Sequence, residues 1–160
     1  MSVMPRALKV KVGQHLQLSL TVQYATEDQR VPSRSQLRRW VSSALDRSVT
    51  ITLRIVDAKE GRELNRAYRK KDYATNVLTF VYEEPPNGVL SGDIVLCAPV
   101  IAKEARAQRK QLMHHYAHMV THGALHLQGY DHEADDAAKV MERREIALLS
   151  RMKIPNPYAS

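Results

Sequence analysis

Three histidines within eleven residues have the side-chain type and spacing best suited to chemistry in this chain of 160 residues. The stretch HGALHLQGYDH contains His122, His126 and His132. Residues four apart lie on nearly the same face of a helix, so His122 and His126 can direct two imidazoles at one point. Gly129 predicts the end of that helix, because glycine readily adopts the left-handed conformation that follows a helix. His132 can then supply a third ligand from beyond the helix end.

Three imidazoles that leave one coordination position open are typical of a catalytic zinc site. We therefore predict that His122, His126 and His132 bind one Zn²⁺ per chain, although nickel and copper also suit imidazole ligands. Metzincin proteases share this spacing but place a glutamate, the general base, directly after the first histidine. This chain has Gly123 there. Because zinc alone can lower the pKa of bound water to about 7 and polarise a phosphoryl oxygen, the pattern favours a metal-assisted phosphodiesterase.

Polar neighbours of these histidines have two interpretations each. His118, one turn before His122, either supports the site or lies at the edge of the core. Asp131 and Glu133 flank His132, and either carboxylate could hold an imidazole through its second nitrogen. Asp131 could equally fix the turn, and Glu133 could equally be a favourable charge at a helix start.

The composition limits the classes of protein to consider. Lys and Arg number 24 against 17 acidic residues, for a formal net charge of +7. This charge suits a polyanionic partner or a solvated basic surface. The single cysteine, Cys97, excludes a disulfide within the chain and lies in an apolar run, so we expect it to be buried. No signal peptide or membrane-spanning run is visible, so we expect a cytoplasmic protein without membrane contact.

The pattern of apolar residues predicts alternating strands and helices. Strands are expected over 15–25, 48–57, 76–82 and 88–98. Helices are expected over 31–46, 58–72, about 100–127 and 132–153. The PPNG turn suggests that the last two strands are antiparallel. The expected fold is a single α+β domain: a small mixed four-stranded sheet packed with helices, with the metal site at the end of a long central helix.

The domain limits follow from this pattern. Residues 1–13 are expected to form a basic, flexible leader, residues 14–154 a single catalytic domain, and residues 155–160 a frayed tail. Histidines 114 and 115 lie in a charged stretch of the long helix and are expected to be exposed. Four basic residues near the start of that helix either contact the phosphates of a nucleic acid or form a solvated face: Lys103, Arg106, Arg109 and Lys110.

The sequence resembles the bacterial YbeY family, single-strand endoribonucleases involved in ribosomal RNA maturation. HGALHLQGYDH is similar to the signature of the family. LNRAYRKKDYATNVLTF (64–80), SGDIVLCAPV (91–100) and AHMVTHGALHL are similar to further family segments, so the resemblance covers about Leu64 to His132. One departure is Val81, where proline often follows the phenylalanine. We expect it to change the exit of the strand and not the chemistry.

The resemblance assigns zinc to His122, His126 and His132, and it assigns the functionally important arginine of the family to Arg69. A guanidinium can hold a phosphate with two hydrogen bonds and stabilise developing negative charge. Without the resemblance, Arg69 would be interpreted as a helix-end cation that neutralises the last carbonyls.

Residues close to Arg69 could extend this site. Lys70 and Lys71 could add phosphate attraction. Thr75 and Asn76 could line the site or form a turn. Asp93, polar within an apolar strand, is expected to pair with a helix end or a basic residue and not to be catalytic.

The resemblance implies a zinc-dependent endoribonuclease that acts on single-stranded RNA, notably ribosomal RNA precursors. It also implies the small ribosomal subunit and its assembly factors as partners. No side chain is an obvious general base, so the nucleophile is either water or a ribose 2′-hydroxyl. One alternative is a non-catalytic ribosome-assembly factor with a structural zinc. Another is a metallopeptidase, which the missing glutamate disfavours.

Overall fold

The computed structural model describes residues 16–82 and 88–159. The expected leader at 1–13 and most of the PPNG turn lie outside the described residues. Within the described part, the elements in chain order are β1 (Leu18–Ala25), α1 (Arg34–Ser43), β2 (Val49–Val56), α2 (Ala58–Arg69), β3 (Val77–Val81), β4 (Leu90–Cys97), α3 (Ala98–Ala107), α4 (Leu112–Leu127) and α5 (Asp135–Arg151).

The four strands form one mixed sheet in the order β1-β2-β4-β3. β1, β2 and β4 run parallel to one another, and β3 runs antiparallel to β4 at one edge. The prediction of a small mixed four-stranded sheet in a single α+β domain is confirmed, as is the antiparallel pairing of the last two strands. β3 lies at the edge of the sheet, and among residues 16–82 and 88–159 no strand pairs with the other side of its main chain.

The alternation of side chains along the strands divides the apolar core between the two faces of the sheet. On one face, β2 and β4 pack against α1, α4 and α5, and Trp40 and the buried Tyr116 belong to this main cluster. The other face carries a smaller cluster of Val56, Leu78, Val95 and Cys97, against which Leu64 of α2 packs. Burial of Cys97 is as expected.

The prediction of one long helix over 100–127 is wrong, because the structure has two helices in this region. α3 ends at Ala107, Arg109 adopts a positive φ of 57°, and α4 begins at Leu112. The N–H of Lys110 donates to the carbonyl of Ala105 at 2.8 Å, a bond that closes a left-handed helix end. The sequence contains no glycine at this break, so nothing in the pattern of residue types marks it.

Two further expectations differ from the structure. His115 is buried and not exposed, and its Nε2 lies 2.8 Å from Oε1 of Glu104. The tail expected to fray packs against the domain, since Nζ of Lys110 donates to the carbonyl of Pro157 at 2.6 Å. Tyr158 contributes a second contact, which belongs to the site described next.

Candidate functional site

The three histidines of HGALHLQGYDH converge at the end of α4. His122 and His126 lie in its last two turns, and His132 lies in the segment that leads to α5. The ring centroids are 5.2 Å apart for His122 and His132, 5.5 Å for His126 and His132, and 6.4 Å for His122 and His126. The structure therefore brings together all three residues that the spacing selected.

Gly129 ends α4 as predicted and allows the chain to bring His132 back. Its φ is +107°, which a side chain would strain. Its N–H donates to the carbonyl of His126 at 3.0 Å, and the N–H of Tyr130 donates to the carbonyl of Leu125 at 3.1 Å. These two bonds satisfy carbonyls that the helix end would otherwise leave without partners.

The Nδ1 atoms of His122 and His126 each lie beside an oxygen that can only accept a hydrogen bond. Nδ1 of His122 lies 2.7 Å from Oε2 of Glu145, and Nδ1 of His126 lies 3.1 Å from the carbonyl oxygen of Tyr130. Each Nδ1 must therefore carry the proton, which leaves the lone pair on Nε2. This is the arrangement in which proteins hold histidine ligands of a metal.

Glu145, a residue that the sequence interpretation did not select, connects the metal-ligand candidate His122 to two more side chains. Its side chain is fully buried on α5. Nε2 of His118 lies 2.9 Å from Oε1 of Glu145, and the hydroxyl of Tyr158 donates to the same oxygen. Burial alone would raise the pKa of this carboxyl, but the hydrogen bonds from His118, His122 and Tyr158 outweigh it and lower the pKa to about 2. Glu145 is therefore a carboxylate near neutral pH.

The imidazole set fits a zinc ion in donor chemistry and nearly fits one in spacing. Zinc–nitrogen bonds of about 2.0–2.1 Å at tetrahedral angles would place imidazole centroids roughly 5 Å apart. Two of the three separations match this value, and the separation of His122 from His126 is wider. Within residues 16–82 and 88–159, no group of three or more His, Cys, Asp or Glu side chains is already positioned to hold a metal ion. A small closure of the His122–His126 pair is what binding would require.

A pocket of about 200 Å³ opens beside these rings. Its wall combines residues of α2, the segment before β3, β3 itself and the histidines: Asn65, Arg69, Lys71, Tyr73, Thr75, Asn76, Val77, Leu78, Thr79, His122, His126 and His132. This described wall contains cations and no carboxylate. Burial lowers the pKa of His126, which favours the neutral imidazole that a metal needs.

The residues expected around Arg69 divide into those that reach the pocket and those that do not. The exposed Arg69, at the last position of α2, and Lys71 line it. Lys70 lies between them in a left-handed conformation with φ 61° and is not part of the wall. Thr75 and Asn76 both line the pocket, and Asn76 also donates to Glu104.

Gly123 lies against the sheet. A Cβ at this position would approach Ile94 to 3.2 Å and Val77 to 3.3 Å, so α4 packs against β3 and β4 at its closest here. The position that carries the general base in metzincins therefore faces the core in this chain. The missing glutamate has a structural cause.

The other polar residues near the site have roles apart from the pocket. Asp131 accepts a hydrogen bond from the N–H of Glu133 at 3.0 Å, which stabilises the turn after α4. Asp93 accepts a hydrogen bond from the hydroxyl of Tyr82, where a helix end or a basic residue was expected. Of the four basic residues near α3, Lys110 is committed to the tail through Pro157. No helix in the described part of the chain combines the length and apolar character needed to cross a membrane.

Comparisons with known proteins bear on the whole domain. The family model described as Endoribonuclease YbeY matches residues 21–153 of this chain. A Thiobacillus denitrificans protein named Endoribonuclease YbeY is 57% identical over 144 residues, which are 90% of this chain and 98% of that protein. A Nitrosospira multiformis protein of the same name is 53% identical over 155 residues, covering 89% of this chain and 82% of that protein. The solution structure of a Thermotoga maritima protein covers 88% of this chain and 100% of its own, with a TM-score of 0.51 and 22% identity, and supports the fold.

Proposed function

The chain belongs to the YbeY family and is an endoribonuclease, and from this membership we propose that the pocket beside His122, His126 and His132 cleaves single-stranded RNA with a bound zinc ion. The observation that carries the proposal is the orientation of the imidazoles. Acceptors behind His122 and His126 direct the Nε2 lone pairs away from Glu145 and Tyr130. Such lone pairs are available to a metal.

His122, His126 and His132 are the proposed zinc ligands. Bound zinc would supply Lewis acidity, which polarises a phosphoryl oxygen or acidifies a coordinated water. Glu145 positions His122 by accepting from its Nδ1, and the carbonyl of Tyr130 positions His126 in the same way. Because Glu145 is negatively charged, it also increases the basicity of the imidazole in front of it.

Arg69 is the proposed catalytic residue that contacts the scissile phosphate. Its guanidinium lines the same pocket as the three histidines and has no carboxylate beside it in the described wall. A planar guanidinium can hold two phosphate oxygens and stabilise the charge that develops as the P–O bond breaks. Lys71 adds a second positive charge on the same wall, which favours a polyanion over a neutral ligand.

No carboxylate of the described wall is available as a general base. The nucleophile is therefore a water molecule or the 2′-hydroxyl next to the scissile phosphate, and the two routes leave different ends. Internal attack by the 2′-hydroxyl forms a 2′,3′-cyclic phosphate, whereas attack by water does not. The close packing of Gly123 against Ile94 and Val77 disfavours a side chain at the metzincin base position, which argues against a metallopeptidase.

The proposed physiological substrates are ribosomal RNA precursors, with the small ribosomal subunit and its assembly factors as partners in the cytoplasm. Residues 14–154 would form the catalytic domain. The net charge of +7 supports a nucleic-acid substrate. The competing hypothesis for the site is that zinc only stabilises the end of α4 and takes no part in cleavage, as it would in a non-catalytic assembly factor.

Cleavage of an end-labelled single-stranded RNA tests the proposal. The wild type is compared with His126→Ala and with His114→Ala, a histidine of the same helix that does not line the pocket. Wild type and His114→Ala should cut the RNA, and a folded His126→Ala should not. Equal cutting by all three would contradict the proposed site. Loss of zinc from a folded His126→Ala that still cuts the RNA would favour the purely structural role of zinc.

A further inference from the structure

The free edge of β3 borders the pocket that contains Arg69 and the histidines. β3 is an edge strand, paired on one side with β4. Residues 77, 78 and 79 of β3 line the pocket between Arg69 of α2 and the histidines of α4. An unpaired strand edge presents main-chain donors and acceptors to whatever lies beside it.

The register identifies which residues of β3 point to the free side. The N–H of Cys97 donates to the carbonyl of Asn76, and the N–H of Tyr82 donates to the carbonyl of Ser91, both at 2.9 Å. In an antiparallel pair, residues alternate between those bonded to the partner strand and those directed away from it. Even-numbered residues from 76 to 82 therefore face β4, and Val77, Thr79 and Val81 present their N–H and C=O groups outward.

Of these three outward residues, only Thr79 both lines the pocket and has, among the described residues, no hydrogen-bond partner for its N–H. The N–H of Val77 donates to the side chain of Asn76 at 2.7 Å, and Val81 is not part of the wall. Thr79 lies in the wall, and among the described residues its outward N–H and C=O have no partner. The side chain of Thr79 lies on the sheet face toward Gly123, which leaves the main chain for contact with a ligand.

We propose that the outward N–H and C=O of Thr79 pair with the Watson–Crick edge of one unpaired nucleobase of the substrate RNA. This inference rests on the proposed function and deepens it. A main-chain residue at a strand edge offers one donor and one acceptor side by side. Each of the four bases has a donor next to an acceptor on its Watson–Crick edge, as in N3–H and O4 of uracil. A phosphate offers acceptors only, so the carbonyl of Thr79 would repel it, while Arg69 and Lys71 suit it.

Two properties of the enzyme follow from this contact. A base whose Watson–Crick edge is engaged in a duplex cannot pair with Thr79, so the contact selects single strands, as is usual where RNA is recognised by its base edges. The same contact accepts all four bases, because every base offers a donor and an acceptor. The proposed contact therefore selects single strands and does not discriminate among the four bases.

Binding of modified oligouridylates tests the inference in protein stripped of divalent metal, so that the RNA stays intact. Three oligomers of equal length and charge are compared by fluorescence anisotropy: uridine, N3-methyluridine and 5-methyluridine. N3-methylation removes the donor of the Watson–Crick edge, and 5-methylation adds the same bulk elsewhere. We expect the N3-methyl oligomer to bind about 3- to 10-fold more weakly than the other two, the size of the loss of one hydrogen bond. Equal binding of all three overturns the inference.

Two proline variants provide the second measurement. Thr79→Pro removes an outward N–H without removing a bond of the β3–β4 ladder, and proline is tolerated at such edge positions. Val81→Pro makes the same change two residues away, outside the pocket wall. We expect Val81→Pro to discriminate between the uridine and N3-methyluridine oligomers as the wild type does. Thr79→Pro should bind both oligomers about 3- to 10-fold more weakly than Val81→Pro does, because an acceptor of the base loses its donor while the carbonyl of residue 79 remains.

The possible outcomes separate this inference from the proposed function. A folded Thr79→Pro that binds the uridine oligomer as tightly as Val81→Pro does overturns the inference, because the N–H of residue 79 then takes no part in binding. If Thr79→Pro does not fold, the comparison of oligomers with the wild type decides alone. Discrimination by the wild type without any RNA cleavage after zinc is restored contradicts the proposed function and leaves the contact standing. Failure of the metal-free protein to bind any oligomer overturns the inference alone, because the proposed function is tested by cleavage with zinc bound.

Discussion

Oε2 of Glu145 lies 2.7 Å from Nδ1 of His122, although the two residues are on different helices, 23 positions apart in the chain. The carboxylate is fully buried and has no solvent to compensate its charge. Its other oxygen accepts from His118 and Tyr158. The orientation of the first proposed ligand of the site is thus determined by α5 and the C-terminal segment, and not by α4 alone.

Glu145→Gln is expected to weaken zinc binding by about 10- to 100-fold, the range found when the group behind a histidine ligand is changed. An amide has one acceptor oxygen and no charge, so it cannot satisfy the three donors that Glu145 satisfies. Competition with a chromophoric chelator gives the affinity. Glu142→Gln, one turn earlier on α5, is the matched control and should bind zinc as the wild type does. Unchanged affinity in a folded Glu145→Gln would show that the carboxylate does not support the metal site.

Arg69→Ala is expected to reduce the rate of RNA cleavage by about 100- to 1,000-fold while the zinc content stays the same. The estimate is that for loss of one preorganised group that stabilises developing charge. Arg66→Ala is the control, because Arg66 lies on the same helix and outside the pocket wall, with its side chain 4.0 Å from Asp72. A similar loss of cleavage rate in both variants would show that the effect arises from the lower positive charge of the protein and not from a specific contact with the phosphate.

Zinc is expected to raise the melting temperature of the wild type by about 5–10 °C at a free concentration 100 times its Kd, because it binds the folded state alone. His132→Ala should abolish most of this rise. Since His132 is exposed in the loop before α5, its loss should hardly change the melting temperature of the metal-free protein. Glu133→Ala, the exposed neighbour, should retain the full rise. Differential scanning calorimetry with and without chelator distinguishes these cases.

The metal-free protein is expected to lose stability as the pH falls below about 6.5, partly through His115. Burial lowers the pKa of His115, and the hydrogen bond and charge of Glu104 only partly oppose it, while His118 and Lys110 lower it further. The unfolded chain therefore binds a proton at a higher pH than the folded chain does. The contribution of His115 is complete above the unfolded pKa and is lost as the pH falls towards the folded one. Urea unfolding from pH 8 to pH 5 should show a smaller decline for His115→Gln, and an identical decline would rule out this residue as a source.

Gly123→Glu is expected to lower the free energy of unfolding by at least about 1–3 kcal/mol, the usual cost of overpacking. The new Cβ would press on Ile94 and Val77, and the carboxylate would have to leave the interface with the sheet. The variant should therefore cleave no peptide despite restoring the metzincin motif. Gly123→Ala separates the cost of the Cβ from that of the charge. A stable Gly123→Glu with peptidase activity would contradict the packing described for this position.

Local spacing was enough to predict the histidine cluster. His122, His126, Gly129 and His132 lie within eleven residues, and helix geometry together with glycine at the helix end determines how they can meet. The positions of the four strands along the chain were predictable from short-range patterns as well: β1 and β2 alternate apolar and polar residues, and β3 and β4 are short runs rich in apolar residues. The register that directs Thr79 outward was not predictable, since it depends on pairing with β4.

Glu145 was missed because its importance arises from contacts distant in sequence. One signal was present: Glu145 lies with Met141, Leu148 and Leu149 on the buried side of α5, where a carboxylate requires partners. The break after α3 gave no such signal, because Arg109 occupies the positive-φ position that glycine usually fills. The burial of His115 could not be predicted either, because it depends on contacts distant in sequence: other elements enclose α4 around most of its circumference.

The contact of Tyr158 with Glu145 has a practical consequence for handling this protein. An affinity tag, fluorophore or fusion partner joined after Ala159 would be attached one residue beyond Tyr158, which donates to the carboxylate that orients His122. Such an attachment could alter metal occupancy without touching any ligand, and preparations tagged at opposite ends would then differ in apparent activity. A tag or fluorophore that must not disturb the proposed metal site is better placed in the exposed segment between β1 and α1, around Glu27 and Gln29.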